Sequence, residues 1–188
     1  MGIFFGIIIF VTTLVGEWTP AYAKVYHTKE DALKLAFPDV QEIEKETVFL
    51  DEMQEKKVEE LARTKAEGRV FTFYKGEKDG EVMGYAIFGS NVVRTKPEVY
   101  MAVINPDGSL RLIEMLAFYE PEEYLPSKKW FRQFHNKTLN DDLWLKRGIN
   151  AISGATMSAN GIIREVRKVL AIFKIAILEK KDEISGKR

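Results

Sequence analysis

Three hydroxyl side chains stand in a run of small residues near the C-terminal end of the chain. Ser153, Thr156 and Ser158 lie within the run Asn150–Ser158, directly before a long stretch with helical spacing of apolar residues. Small residues allow a bulky group to approach the backbone, and the unpaired amides and dipole of a helix N-terminus favour an anion. The run therefore predicts either a phosphate cradle with a hydroxyl available for esterification, or a plain Ser/Thr cap before a helix.

The string Ser153-Gly154-Ala155-Thr156 resembles the flavinylation motif Asp-x-x-Ser/Thr-Gly-Ala-Thr of the FMN-binding domain family. This family includes peripheral subunits of the sodium-pumping NADH:quinone oxidoreductase and of the related ferredoxin-linked electron transport complex. In those proteins a flavin transferase, using FAD and a divalent metal, joins FMN to the last Thr through a phosphoester bond. The resemblance implies that Thr156 carries FMN, and that Ser153, Gly154 and Ala155 line its phosphate.

The leading Asp of the motif is replaced by Asn150 in this chain. An amide keeps most of the hydrogen-bond geometry of a carboxylate but loses its charge. We therefore include Asn150 among the expected FMN-binding residues. If the transferase recognises the carboxylate, attachment is slower or absent, which leaves a noncovalent FMN site.

A second stretch, residues 118–134, resembles the region before the motif in stand-alone members of the family. Tyr124 and Leu125 are expected to flank the flavin ring, which needs apolar faces and a few polar edge contacts. Glu123 is expected to hydrogen-bond the flavin or its ribityl chain, with a solvated surface carboxylate as the alternative. We assign Trp130 to the cover of the sheet. The Glu-Thr-Pro-Gly-Leu-Gly signature of the larger respiratory subunits is missing, which indicates a stand-alone member.

The amino-acid composition argues against several kinds of partner and cofactor site. The 28 basic and 28 acidic residues balance, which argues against nucleic acid as a partner because phosphate binding depends on an excess of Lys and Arg. The absence of Cys excludes disulfides, thiolate metal sites and c-type haem attachment. His27 and His135 belong to no motif, and we assign them surface or hydrogen-bonding roles. We expect no metal site and no catalytic acid/base pair.

The first residues are predicted to be a targeting signal. Residues 3–15 form an apolar run of about the length of a signal-peptide core, and Ala21-Tyr22-Ala23 supplies small residues at the spacing that signal peptidase requires. We expect residues 1–23 to be removed, and residues 24–188 to form one FMN-binding domain in the periplasm or at the outer face of the cytoplasmic membrane. An uncleaved membrane anchor is the alternative, although the run is shorter than a typical span.

The pattern of apolar residues and turns predicts an α+β fold, in which helices pack on one side of an antiparallel sheet and a long helix follows the attachment turn. The predicted helices start at Thr28, Asp51, Ser127 and Ser158 and end at Phe37, Gly68, Phe134 and Lys180, and the predicted strands are 43–50, 70–75, 82–90, 99–104 and 110–118.

The resemblance implies an electron carrier that takes electrons from one redox protein and passes them to another. Its expected partners are the flavin transferase and a membrane quinone-linked complex or a cytochrome. Two alternatives remain open at this point: a small exported flavin reductase that acts on a soluble acceptor, and a flavin-free binding module with the same fold.

Overall fold

A six-stranded antiparallel sheet forms the centre of the protein, in a computed structural model that describes residues 24–181. The strand order across the sheet is β1-β6-β5-β4-β3-β2, so every neighbouring pair except β1 and β6 is consecutive in the chain. The α+β fold predicted from the sequence is confirmed. The strands are β1 (Lys24–Val25), β2 (Glu42–Phe49), β3 (Val70–Lys78), β4 (Glu81–Val92), β5 (Pro97–Ile104) and β6 (Leu110–Phe118).

Within residues 24–181, four α-helices accompany the sheet, and the last is the longest. Short 3-10 helices stand before and after the third helix, at Glu122–Tyr124 and Arg132–Phe134. The fourth helix continues through a π-helical turn, Lys174–Leu178. The helices are α1 (Lys29–Ala36), α2 (Glu52–Ala62), α3 (Lys128–Phe131) and α4 (Thr156–Phe173).

The first two helices begin where side chains cap them. The hydroxyl of Thr28 accepts a hydrogen bond from the Asp31 amide, and Asp51 forms a reciprocal capping box with Gln54. Helix α2 ends at Ala62, earlier than the Gly68 stop that the sequence suggested, because Arg63 adopts a left-handed conformation with φ 52°.

The sheet buries both faces, and the helices are divided between them, so the expectation that they all pack on one side is wrong. Helices α2 and α4 pack on one face, where Phe73, Tyr85 and Phe173 meet edge to face. Helix α1 covers part of the other face through Ala32, Ala36 and the following Phe37. The main core therefore lies between the sheet and α4, and α4 is the helix that follows the predicted attachment turn.

The predicted signal segment, residues 1–23, lies outside the described residues. The described chain starts at β1, which pairs antiparallel with the end of β6 through Lys24 and Val25. Within residues 24–181, no helix combines the length and apolarity needed to cross a membrane.

Candidate functional site

The candidate site is built around the first turn of α4. The helix begins at Thr156, so the N-cap position falls on Ala155, which has no side-chain oxygen to accept from the first-turn amides. Gly154 precedes it with φ +83°, a left-handed conformation that favours glycine. The turn therefore presents a helix N-terminus that no side chain in residues 24–181 caps, which is the arrangement that suits an anion.

The hydroxyls of Thr156 and Ser158 have different surroundings. Thr156 is exposed, and its Oγ1 makes one long hydrogen bond of 3.4 Å to the carbonyl oxygen of Ile152. Ser158 is fully buried, and its Oγ has no hydrogen-bond partner among the described residues. A buried hydroxyl without a partner is unfavourable. The alternative that Thr156 caps the helix is not what the geometry shows, since Thr156 is the first helical residue.

A small cavity of about 60 Å³ opens beside this turn. That volume corresponds to roughly two water molecules, which is enough for a phosphoryl group and far too little for a flavin ring. The cavity brings Tyr124 together with the predicted residues Gly154, Ala155 and Ser158. The full lining is Val93, Arg94, Tyr124, Gly154, Ala155, Met157 and Ser158.

Arg94 supplies a positive charge to this cavity. No motif in the sequence indicates that Arg94 belongs to the site. It lies in the turn between β4 and β5, with its guanidinium 5.1 Å from the centre of the Tyr124 ring. One carboxylate oxygen of Glu120 fixes this turn, because it accepts from the Thr95 amide at 2.8 Å and the Lys96 amide at 3.0 Å. These amides, the first of them above all, hold the pKa of Glu120 below its ordinary value.

Asn150 is fixed through its backbone rather than its side chain. Its amide donates to Gln133 Oε1 at 2.8 Å, and its carbonyl oxygen accepts from Trp130 Nε1 at 2.7 Å. Its side chain is exposed and forms no hydrogen bond within the described part of the chain. Trp130 is buried, so the segment that starts the motif is held against the main core.

The remaining predicted ring contacts are not all brought to the cavity. Tyr124 lines it, but Leu125 lines a separate, larger cavity. Glu123 is exposed, lines neither cavity and makes no hydrogen bond among residues 24–181. Ser153 is also exposed. Met157, 55% exposed beside Thr156, adds an apolar surface that the sequence analysis did not consider.

A buried polar cluster lies beneath α4, and no motif in the sequence predicts it. Glu98 on β5 is fully buried; its Oε1 accepts from Asn91 Nδ2 at 3.2 Å, and its Oε2 has no partner in the described chain. Burial raises the pKa of Glu98 to about 7. The hydrogen bond from Asn91 opposes this shift, and the nearby charge of Glu165 adds to it. Helix α4 packs closely here, since a Cβ on Gly161 would lie 2.3 Å from Asn91 Nδ2.

The second half of this cluster connects α4 to the sheet and to the chain after α2. The hydroxyl of Tyr100 donates to Glu165 Oε2 at 2.7 Å, and Lys168 Nζ lies 2.8 Å from Glu165 Oε1 and 2.7 Å from Glu67 Oε2. Burial lowers the pKa of Lys168, but the two carboxylates outweigh that effect and raise it. These bonds fix the position of α4, and therefore of Thr156 at its start.

No protein-family model matches the sequence, and a search of curated proteins finds no match. A proposal about function therefore has to be based on the residues and geometry of the α4 turn and on the resemblance of its motif.

Proposed function

We propose that the protein is an exported electron carrier whose FMN is joined through a phosphoester to Thr156. The observation that supports this most strongly is the start of α4. There the exposed hydroxyl of Thr156 adjoins an uncapped helix N-terminus and a phosphate-sized cavity, whose lining includes Arg94 and both neighbours of Thr156 but not Thr156 itself. Each of these features favours a bound phosphate group.

The residues of the turn fit the phosphate of FMN. The first-turn amides and Arg94 can bind its oxygens, and the unpartnered Ser158 hydroxyl can donate a further hydrogen bond. The flavin itself accepts and releases electrons when it is bound. Tyr124 and the exposed side chain of Met157 offer apolar surface beside the cavity. We expect the ring to lie against this surface, because the cavity is too small to hold it.

Attachment requires one exchange of bonds at Thr156. Its Oγ1 forms a bond to the FMN-side phosphorus of FAD, the bond between the two phosphates breaks, AMP leaves, and the hydroxyl proton passes to a base. The transferase and its divalent metal carry out this step, while this chain contributes the nucleophilic oxygen and its position. The product gains the mass of FMN less one water.

The tether suits a carrier outside the cytoplasm, where lost FMN is not resupplied. The proposal of export is based on the apolar run at residues 3–15 and on Ala21-Tyr22-Ala23. Both lie outside the residues that the structure describes. We propose a membrane quinone-linked complex or a cytochrome as the redox partner.

A coexpression experiment tests the site. Protein produced with the flavin transferase is precipitated with acid and washed, and the absorption spectrum of the pellet reports covalent flavin. We expect a flavin spectrum for the wild type and a several-fold lower yield for Arg94→Gln, because its cationic phosphate contact is lost. Arg147→Gln is the matched control, since Arg147 is an exposed Arg paired with Asp142 at 2.9 Å and does not line the cavity. A colourless wild-type pellet would refute the proposal.

A further inference from the structure

A large cavity in the described chain lies away from the attachment turn. It has a volume of about 670 Å³, which falls within the range of small-molecule binding sites. Its apolar lining includes Ile113 and Met115 of β6, together with Leu125, Pro126 and Phe131 from the segment around α3. Most of its surface is therefore apolar.

The cavity lies along an open edge of the sheet that is closed at both ends. At one end, Leu110 exchanges backbone hydrogen bonds with Asn136 and Lys137, at 2.8 and 2.7 Å. At the other, the carbonyl of Leu116 accepts from the Tyr26 amide at 2.8 Å. Six residues of strand span roughly 20 Å. A peptide strand longer than this gap would collide with the segment at residues 136–137 or with Tyr26. The space therefore suits a compact small molecule.

The rim of the cavity carries an excess of positive charge. Lys128 and Arg132 line it, and neither forms an ion pair with another residue in the range 24–181. His135 also lines it, with Nδ1 bonded to the carbonyl oxygen of Arg111 at 2.8 Å. The one carboxylate in the lining, Glu114, is engaged by His27 Nε2 at 3.3 Å.

We propose that this cavity binds a small amphipathic anion, with an apolar ring-sized body against Ile113, Met115 and Phe131 and an acidic group at Lys128 and Arg132. The apolar walls favour the body of such a ligand through burial, and the unpaired cations select a carboxylate or sulfonate over a neutral or cationic group. This site is separate from the proposed flavin site, and binding requires no flavin.

The test uses the flavin-free protein and two fluorescent probes of similar aromatic body. The sulfonate 8-anilino-1-naphthalenesulfonate carries the charge, and uncharged N-phenyl-1-naphthylamine lacks it. We expect saturable binding of both. We also expect the double variant Lys128→Glu/Arg132→Glu to weaken sulfonate binding roughly ten-fold, since two attractive charges become repulsive. Binding of the neutral probe should change less than about two-fold.

Lys129→Glu is the matched control, because Lys129 is an exposed neighbour in the same helix that does not line the cavity. It should leave both affinities unchanged. Hydrogen exchange then locates the probe: amides of residues 111–115 should exchange more slowly when the sulfonate is bound. An unchanged sulfonate affinity in the double variant would overturn the proposal, as would protection that is confined to other parts of the chain. Either result leaves the flavin assignment untouched.

Discussion

Replacing Glu98 by Gln removes a buried carboxyl group whose pKa is raised to about 7. Glu98 is fully buried beneath α4, and its pKa is raised from 4.5 to about 7. Gln keeps the oxygen that accepts from Asn91 and, like the protonated acid, carries no charge. The substitution therefore reproduces the form of Glu98 that the folded protein prefers.

The effect on stability follows from proton linkage. The unfolded chain releases the Glu98 proton near its ordinary pKa of 4.5, whereas the folded protein holds it until about pH 7. The folded state thus binds more protons between these values, and the free energy of unfolding falls as the pH rises through this window. A shift of this size corresponds to about 3 kcal/mol. The loss is complete above pH 7, and Glu98→Gln should not show it.

Urea denaturation between about pH 5 and pH 8 measures this difference. We expect the free energy of unfolding of the wild type to fall by about 2–3 kcal/mol relative to Glu98→Gln across this range. Glu42→Gln, at an exposed position of β2, is the control and should follow the wild type. Parallel pH profiles for the wild type and Glu98→Gln would refute the reasoning, because they would show that Glu98 titrates alike in the folded and unfolded states.

Three further predictions concern the helix, the motif and the N-terminus. Gly161→Ala should lower the free energy of unfolding by about 1–3 kcal/mol in urea denaturation, because its Cβ would meet Asn91 at 2.3 Å, while Asn160→Ala at the adjacent position should have a smaller effect. Asn150→Asp should leave the melting temperature unchanged and raise the flavinylated fraction severalfold after limited coexpression, since the exposed side chain gains the motif's carboxylate; equal incorporation would show that this position does not limit recognition. N-terminal sequencing of the exported protein should start at Lys24, and recovery of residue 1 from membranes would establish an anchor instead.

Local signals made much of the fold predictable. Thr28 and Asp51 stand directly before apolar helical patterns, and both cap helices in the structure. The predicted strand 110–118 has the same bounds as β6, because a strong turn precedes it and its apolar residues continue to Phe118. Helix α2 ends before Gly68, the predicted stop, because Arg63 already takes a left-handed conformation at the end of the helix.

The site was only partly predictable because tertiary contacts assemble it. The Ser-Gly-Ala-Thr string marks the turn, yet nothing local indicates that Ala155 occupies the cap position and leaves the first-turn amides uncapped. Arg94 lies far from the turn in sequence and reaches the cavity only because Glu120 fixes the turn between β4 and β5. Tyr124 and Leu125 are adjacent in the chain but line different cavities, a distinction that the sequence alone does not contain.

The covalent assignment is tested most directly by the intact mass of Thr156→Ala after coexpression with the transferase. Thr156 is not the N-cap and its hydroxyl makes only one long hydrogen bond, so this variant should fold, with a stability within about 0.5 kcal/mol of the wild type. Ser153→Ala and Ser158→Ala keep the proposed acceptor and test the neighbouring hydroxyls in its place. We predict that the wild type and both serine variants gain the mass of FMN less one water, Ser158→Ala in lower yield because it loses a proposed phosphate contact, and that folded Thr156→Ala gains none. A wild-type chain without added mass, or a Thr156→Ala chain that carries it, would contradict the account.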